Sequence, residues 1–397
     1  MNIAFTHVVF PGGGAERITI DIAKSLHKGE GDYRFFVYTN DITEELLTEE
    51  VSSHFIAVRK VSKKRKVRAA EIEKFIKDDG IDILIEVAAR VPGIEGIRER
   101  TGCMVIFANH GEPFWQRYSI LAKKSRSYMK WRLYRRWIYE KLGWAKIRAR
   151  KLSRKDYNKC DIYTVLCEKY KIKMCKGLRI KPQSSHIVAI NNSEHPVEHI
   201  RYDKDKTILF CGRLENVSKR IDRLLRIWGK IQNEIPDWKL VIVGDGPHRD
   251  IVEEQIRKEG LERVYLEGRT SNVSPYYKKA SIVCLTSQTE GWPLCLTEAQ
   301  AHGCIPVAFG CSDGVREILS PSGTHGFVVT PFDEDEYAQT LLQIIAMDES
   351  AQLKIRQNVV RKSGDFAPDV IAAKWKTLFD YLYLQKIKKW VIFLLMN

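Results

Sequence analysis

Strand-like and helix-like patterns alternate along this chain, and the alternation happens twice. In the first half, short apolar runs at 3–10, 34–38, 81–87, 104–108, 162–166 and 185–190 read as strands, with amphipathic helical patterns at 15–26 and 71–77. The turn and breaker residues Asn191-Asn192-Ser193-Glu194-His195-Pro196 then read as a linker. A second alternation follows. Strands are predicted at 207–212, 239–243, 264–266, 282–286, 306–309 and 326–329, and helices at 221–232, 250–258, around Glu298, and at 334–346. Such alternation yields a parallel, doubly wound α/β sheet in each half. The 397 residues are enough for two cores. The expected division is 1–195, 196–372 and a tail at 373–397. Two doubly wound halves leave a cleft between them, where small molecules commonly bind.

Composition narrows the class. Hydrophobic residues are 44% and charged residues 29%, a globular balance. The first ten residues read as a strand without a basic start or cleavage site, and no apolar run reaches about 18 residues. Neither a signal peptide nor a membrane span is therefore expected. The nine cysteines are scattered, with no Cys-x-x-Cys pair. They read as reduced core residues of a cytoplasmic chain, and no His/Cys spacing suits zinc. The net charge is +15. Between Arg117 and Lys155, fifteen Lys or Arg face one acid, Glu140, so this segment alone carries +14.

The chemistry is concentrated at strand exits. In Glu290-Gly291-Trp292-Pro293-Leu294-Cys295-Leu296-Thr297-Glu298, the first carboxylate leaves a strand and the second lies near the start of the next helix. Open α/β sheets bind ligands in the crevice beyond their strand ends. A helix start there suits a phosphate, and a carboxylate on either side suits hydroxyl groups. A nucleotide-sugar has that layout of sugar, diphosphate and ribose. Gly12-Gly13-Gly14 between the first strand and helix lets the backbone approach a ligand, yet fits neither Gly-x-Gly-x-x-Gly nor a P-loop. In Gly212-Arg213-Leu214-Glu215 with Lys219, two cations six residues apart can neutralise a diphosphate leaving group without a metal. His110 directly follows the strand 104–108, in Asn109-His110-Gly111-Glu112. Two Asp-x-Asp triplets, Asp203-Lys204-Asp205 and Asp333-Glu334-Asp335, read as linker polarity and a helix cap, so no metal is expected.

The full string from Glu290 to Glu298 closely resembles the Glu-x7-Glu signature of the family 4 retaining glycosyltransferases, which have the GT-B fold. Gly212-Arg213-Leu214 with Lys219 matches the family's Gly-Arg-Leu…Lys element, and Val243-Gly244-Asp245-Gly246-Pro247 its Gly-x-Gly-Pro turn. The resemblance covers nearly the whole chain and is most specific between Phe210 and Thr330. It implies two Rossmann-like domains facing a central cleft, an N-terminal acceptor domain and a C-terminal donor domain, with a last helix crossing back to the first. It also implies retaining transfer of a hexose-type sugar from a UDP- or GDP-linked donor to an acceptor hydroxyl, without cofactor. Glu290 and His110 would hold the donor sugar, with Glu290 stabilising positive charge at the anomeric carbon. Arg213 and Lys219 would stabilise the departing diphosphate, aided by amides near Leu294, and Glu298 would bind the ribose hydroxyls. Gly13, Gly14, Gly268, Gly291, Trp292 and Pro293 would complete the donor contacts. Domain closure would exclude water. The acceptor implied is a glycan or a lipid-linked sugar in cell-surface polysaccharide or glycolipid synthesis. A GT-B epimerase or phosphorylase is the alternative within the fold. A non-catalytic nucleic-acid or membrane-binding protein leaves the second half's motifs unexplained.

The basic segment 117–155 interleaves Tyr118, Tyr128, Trp131, Tyr134, Trp137, Tyr139 and Trp144 with its cations, and Tyr134, Trp137, Ile138, Leu142 and Ala145 fall on one helical face. Near the C-terminus, Lys386, Lys388 and Lys389 precede the apolar run 390–396, too short to span a bilayer. Together they point to peripheral contact with an anionic cytoplasmic leaflet, and nucleic acid is not an expected partner. Co-sedimentation with vesicles should therefore require anionic lipid and weaken as salt is raised. Sedimentation indifferent to anionic lipid would count against the contact.

Overall fold

The computed structural model describes residues 1–27, 32–87, 90–117, 120 and 143–396. Most of the basic segment, including Tyr118, Tyr128, Trp131, Tyr134, Trp137, Ile138, Tyr139 and Leu142, lies outside the described residues, as do the side chains of 389–396. The chain forms two compact units, one of Met1–Asn191 with Pro368–Asn397 and one of Asn192–Ala367.

Among the described residues, the first unit is built on seven parallel strands: β1 (Asn2–Phe10), β2 (Arg34–Ile42), β3 (Ala57–Lys60), β4 (Ile83–Glu86), β5 (Met104–Ala108), β6 (Ile162–Val165) and β7 (Ile187–Ala189). They lie in the order β3-β2-β1-β4-β5-β6-β7. β4 and β5 are buried along their whole length and β1 along most of it, as in parallel sheets covered on both faces. β3 carries only Ala57 and Val58 before Arg59 and Lys60. Its charges sit at the sheet edge, where they discourage pairing with another chain. The described end of the basic segment is the helix Trp144–Lys159. It buries the small residues Ala145, Ala149 and Ser153 and turns Lys146, Arg148, Lys151 and Lys155 outward.

The second unit has six parallel strands: β8 (Asp205–Cys211), β9 (Lys239–Val243), β10 (Val264–Gly268), β11 (Ala280–Leu285), β12 (Ile305–Phe309) and β13 (Phe327–Val329). Their order is β10-β9-β8-β11-β12-β13. The helix Ile221–Ile231 shows why this core closes. Ile221, Leu224, Leu225, Trp228 and Ile231 recur at helical spacing and all are buried. Asn192, Ser193 and Glu194, read from sequence as linker, are buried, and the Glu194 N–H donates to the Phe366 carbonyl at 2.7 Å. All nine cysteines are free thiols, and burial pushes Cys284 up to about 12 and Cys304 up to about 11. Among the described residues, no helix is long and apolar enough to cross a membrane.

The chain returns to the first unit through the helix Pro368–Met396, as the resemblance implied. Proline suits a helix start, where its missing N–H would have no partner. Ile371, Ala372, Trp375, Leu378, Phe379 and Leu382 pack with Ile18, Ile22 and Leu26 of the helix Gly14–His27. The Tyr33 hydroxyl donates to Asp380 at 2.6 Å, and Lys386 pairs with Asp82 at 2.7 Å. Phe379 is fully buried here. Phe379→Ala should destabilise the first unit by about 3–5 kcal/mol, read as a lowered denaturant midpoint. A midpoint equal to wild type would show that the returning helix is not part of this core.

Candidate active site

In the second unit, β8 connects outward to β9 on one side, and β11 begins the strands on the other. Loops leaving β8 and β11 therefore diverge and open a crevice at a topological switch point. Lys219 follows β8 and Glu290 follows β11, and the crevice brings them together: Nζ lies 2.7 Å from Oε1. Their side chains are 26% and 11% exposed. Burial alone would depress the Lys219 ammonium, but the adjacent Glu290 carboxylate outweighs it and holds the group above its ordinary value. The Ser287 hydroxyl donates to the same Glu290 oxygen at 2.6 Å. Backbone bonds fix the loops on either side: the Gln288 N–H donates to Ser218, and the Thr286 hydroxyl to the Arg220 carbonyl at 3.0 Å. Arg220 holds a left-handed φ of 50°, which turns the chain from the Lys219 loop into the helix Ile221–Ile231.

Arg213 stands exposed in the same loop and forms no ion pair among the described residues. Its position is set by backbone contact between strand exits. The Gly212 N–H donates to Val243 at 3.0 Å, the Leu214 N–H to Asp245 at 3.1 Å, and the Gly244 N–H to Gly268 at 2.8 Å. Gly244 has φ 137°, and a Cβ there would lie 1.9 Å from the Gly212 oxygen, so only glycine fits. Gly268 ends β10 with φ 74°.

The helix after Glu290 begins at Leu294 rather than Thr297 and runs Leu294–Ala301, with Pro293 as its cap. Glu298 is therefore in its second turn, four residues from Leu294 and on the same face. The first free amides belong to Leu294 and Cys295. Glu298 accepts from the Tyr277 hydroxyl at 2.8 Å. Between these groups the Cys295 thiol is raised by burial and sits in the fields of Lys219, Glu290 and Glu298. Gly291 lies in the loop before the helix. Trp292 is buried, its ring edge-on against Phe366 at 5.2 Å between centroids. Thr297 anchors the helix from below by donating to Glu194 at 3.0 Å.

The remaining predicted residues are in the first unit. Gly13 and Gly14 are exposed at the start of the helix Gly14–His27. Their loop is held by Glu16, which faces His7 at 3.4 Å. Burial raises the Glu16 carboxyl, and the His7 contact outweighs that, leaving it lowered. His110 leaves β5 on a turn stapled by Asn109, whose side-chain amide donates to the Gly111 carbonyl at 3.0 Å. His110 lines a cavity of about 730 Å³ at the strand ends of β1, β4 and β5. At its floor, Glu86 is buried, accepts from the Val91 N–H at 2.5 Å, and is pushed by burial up to about 7. Arg90 pairs with Asp156 at 2.6 Å beside it.

Ser287, Tyr277 and Glu86 were not singled out from the sequence. Only Ser287 had a local signal, three residues before Glu290 in the same strand exit. The other contacts join distant segments. Asp205 pairs with Arg201 at 3.0 Å, and Asp333 caps the helix Glu334–Ala346 by accepting from the Asp335 and Glu336 N–H groups.

The chain is similar to known proteins in sequence and in fold. Residues 191–361 match the family model described as glycosyl transferases group 1. An uncharacterized glycosyltransferase of Haemophilus influenzae is 27% identical over 369 residues, covering 92% of this chain and 95% of that protein. The Campylobacter jejuni protein named GalNAc-α-(1→4)-GalNAc-α-(1→3)-diNAcBac-PP-undecaprenol α-1,4-N-acetyl-D-galactosaminyltransferase is 23% identical over 395 residues, 95% of this chain and 98% of its own. The crystal structure of an Anabaena protein in complex with UDP and glucose has the same fold, with a TM-score of 0.73 at 18% identity over 96% of this chain and 100% of that one.

The Glu86 carboxyl binds its proton more tightly folded, at about 7, than at its ordinary value of 4.5. Its contribution to stability is thus fully present below about pH 4.5 and is lost as pH rises through about 7. Relative to Glu86→Gln, wild type should lose up to about 3 kcal/mol across that window, read from paired denaturation curves. Parallel pH profiles for the two proteins would refute it.

Proposed function

We propose that this chain, which belongs to the group 1 glycosyltransferases of GT-B fold, transfers a hexose-type sugar from a nucleoside-diphosphate-sugar to a glycan or lipid-linked acceptor with retention of configuration. The observation that carries the reading is the Lys219–Glu290 pair across the β8/β11 switch point. It supports a site where a negative charge faces the sugar and positive charge faces the leaving group. In this proposal Glu290 stabilises the charge that develops at the anomeric carbon, as an electrostatic device preset for the transition state. Lys219 has three donors and gives one to Glu290, which leaves capacity for a phosphate oxygen. Exposed Arg213 offers a planar fork to the diphosphate, and the Leu294 and Cys295 amides offer a helix start. These cations do the work for which a metal is used elsewhere, so no metal enters the reaction. Glu298, oriented by Tyr277, takes the ribose hydroxyls. His110 keeps the sugar-facing role that the resemblance gives it.

The donor base, UDP or GDP, follows the family and is left to the binding experiment below. The Campylobacter relative's name, with its PP-undecaprenol-linked substrate, supports an acceptor from cell-surface glycan or glycolipid assembly. Exposed Trp144 and Ile147 among Lys146, Arg148, Arg150 and Lys151 support peripheral membrane contact, hence action at the cytoplasmic face.

Thermal shift against UDP, GDP and their sugar conjugates tests the site, since binding to the folded state raises Tm. One base should stabilise wild type and fail to stabilise Arg213→Ala. Glu298→Ala should weaken donor binding about tenfold with turnover less affected. Glu290→Gln should lower turnover by about 100-fold or more with donor binding retained. Full activity in both variants would overturn these roles.

A further inference from the structure

Two donors of different kinds meet at Oε1 of Glu290: the Lys219 ammonium at 2.7 Å and the Ser287 hydroxyl at 2.6 Å. Lys219 is charged, rides on a flexible stem and is partly exposed. Ser287 is neutral, has one side-chain torsion for its oxygen and is fully buried. Its backbone is tied on both sides. Before it, the Thr286 hydroxyl donates to the Arg220 carbonyl at 3.0 Å. After it, the Gln288 N–H donates to the Ser218 carbonyl at 2.7 Å, and the Gln288 side chain accepts from Arg223 at 2.6 Å. Arg223 is itself buried and lies over the Phe332 ring at 4.2 Å. The Ser287 hydroxyl is thus aimed by main chain and by Arg223, independently of the Lys219 charge. The two donors respond differently to the proposed reaction. As the bond between the anomeric carbon and the diphosphate oxygen breaks, its electron pair goes to the diphosphate. The growing negative charge attracts the Lys219 ammonium and competes with Glu290 for it. Ser287 carries no charge and is not drawn. Positive charge grows at the anomeric carbon in the same step, so Glu290 has to be held most firmly when Lys219 holds it least.

We propose that Ser287 is the positioning residue for Glu290, keeping the carboxylate in place while the leaving diphosphate competes for Lys219. The inference rests on the glycosyltransferase reading and on the role given there to Glu290. It adds a residue that touches neither sugar nor phosphate and acts through the carboxylate alone. Its hydrogen bond matters more in the transition state than in the donor complex, so its loss falls on turnover and not on donor binding.

Release of nucleotide from UDP- and GDP-hexoses by the full-length protein, with water as the acceptor, reads turnover, and titration calorimetry reads donor affinity. Ser287→Ala removes a hydrogen bond to a charged group, so kcat should fall by about 10- to 100-fold while the donor Kd stays within about twofold. In Glu290→Ala there is no carboxylate to hold, so adding Ser287→Ala should cost nothing further. Ser287→Cys keeps the shape with a weakly donating thiol. It should lose turnover as Ser287→Ala does, and it carries the test where the alanine variant does not fold. Unchanged kcat in these variants would overturn the proposal. So would a loss of donor affinity as large as the loss of turnover, or an equal further loss in the Glu290→Ala background. Wild type that cleaves none of these donors would sink the glycosyltransferase reading itself, whereas cleavage by wild type with additive losses would sink this inference alone.

Discussion

A lysine ammonium and a carboxylate held 2.7 Å apart, both largely withdrawn from water, set the terms for the second unit. Two charges in such a place are costly unless each compensates the other, and losing one partner leaves the other stranded at about 3 kcal/mol or more. The pair therefore demands that two loops from different strands meet in one geometry. Ser218 and Arg220 meet that demand on one side, through backbone bonds to Gln288 and Thr286 on the other. Behind them, Gly212 and Gly244 let two strand exits touch backbone to backbone, which a single methyl group would prevent. The frame of the crevice is thus made of main-chain contacts, and its charges are carried by side chains held between them.

The first unit repeats the geometry with different chemistry. Its sheet also reverses strand order beside its first strand, and its polar residues also collect at the strand ends. Here, though, the floor holds Glu86 at a raised value near neutrality, and the lining holds Arg65 and Arg68 without a carboxylate partner among the described residues. The second unit's crevice pairs Lys219 with Glu290 and leaves Arg213 exposed, while the first unit's cavity pairs Arg90 with Asp156 and leaves Arg65 and Arg68 without a carboxylate partner among the described residues.

How much of this the sequence revealed depends on the range of each interaction. Strands such as β5 and β9, short apolar runs with breakers after them, were legible because both of their faces are buried. β3 was not, because an edge strand of two apolar residues followed by Arg59 and Lys60 has no pattern to read. The helix at Leu294 began before its pattern did. Trp292-Pro293-Leu294-Cys295 shows no helical period, and Pro293 acts as the cap. Glu290, Lys219 and Arg213 were singled out through motif spacing, and the fold places them after the strands β8 and β11. Trp292 is buried with its ring on Phe366, a partner that motif spacing does not reveal. Tyr277 on Glu298, and Glu194 under Thr297, likewise join segments with no periodic relation. Arg65, Arg68 and Lys155 read as ordinary surface charge until the fold turned them toward one cavity.

The returning helix ties these levels together. The second unit is one continuous segment, 192–367, and can complete its core as soon as it has been synthesised. The first unit cannot. Tyr33 finds Asp380 347 residues away, and the helix Gly14–His27 buries its apolar face against Ile371, Trp375 and Phe379. Loop-closure entropy grows only slowly with length, so the distance itself costs little once a folded second unit has shortened the connection. The consequence is an order of events. The cavity lined by Arg65, Arg68 and His110 stands on a sheet whose supporting helix, Pro368–Met396, is the last element of the chain to be synthesised.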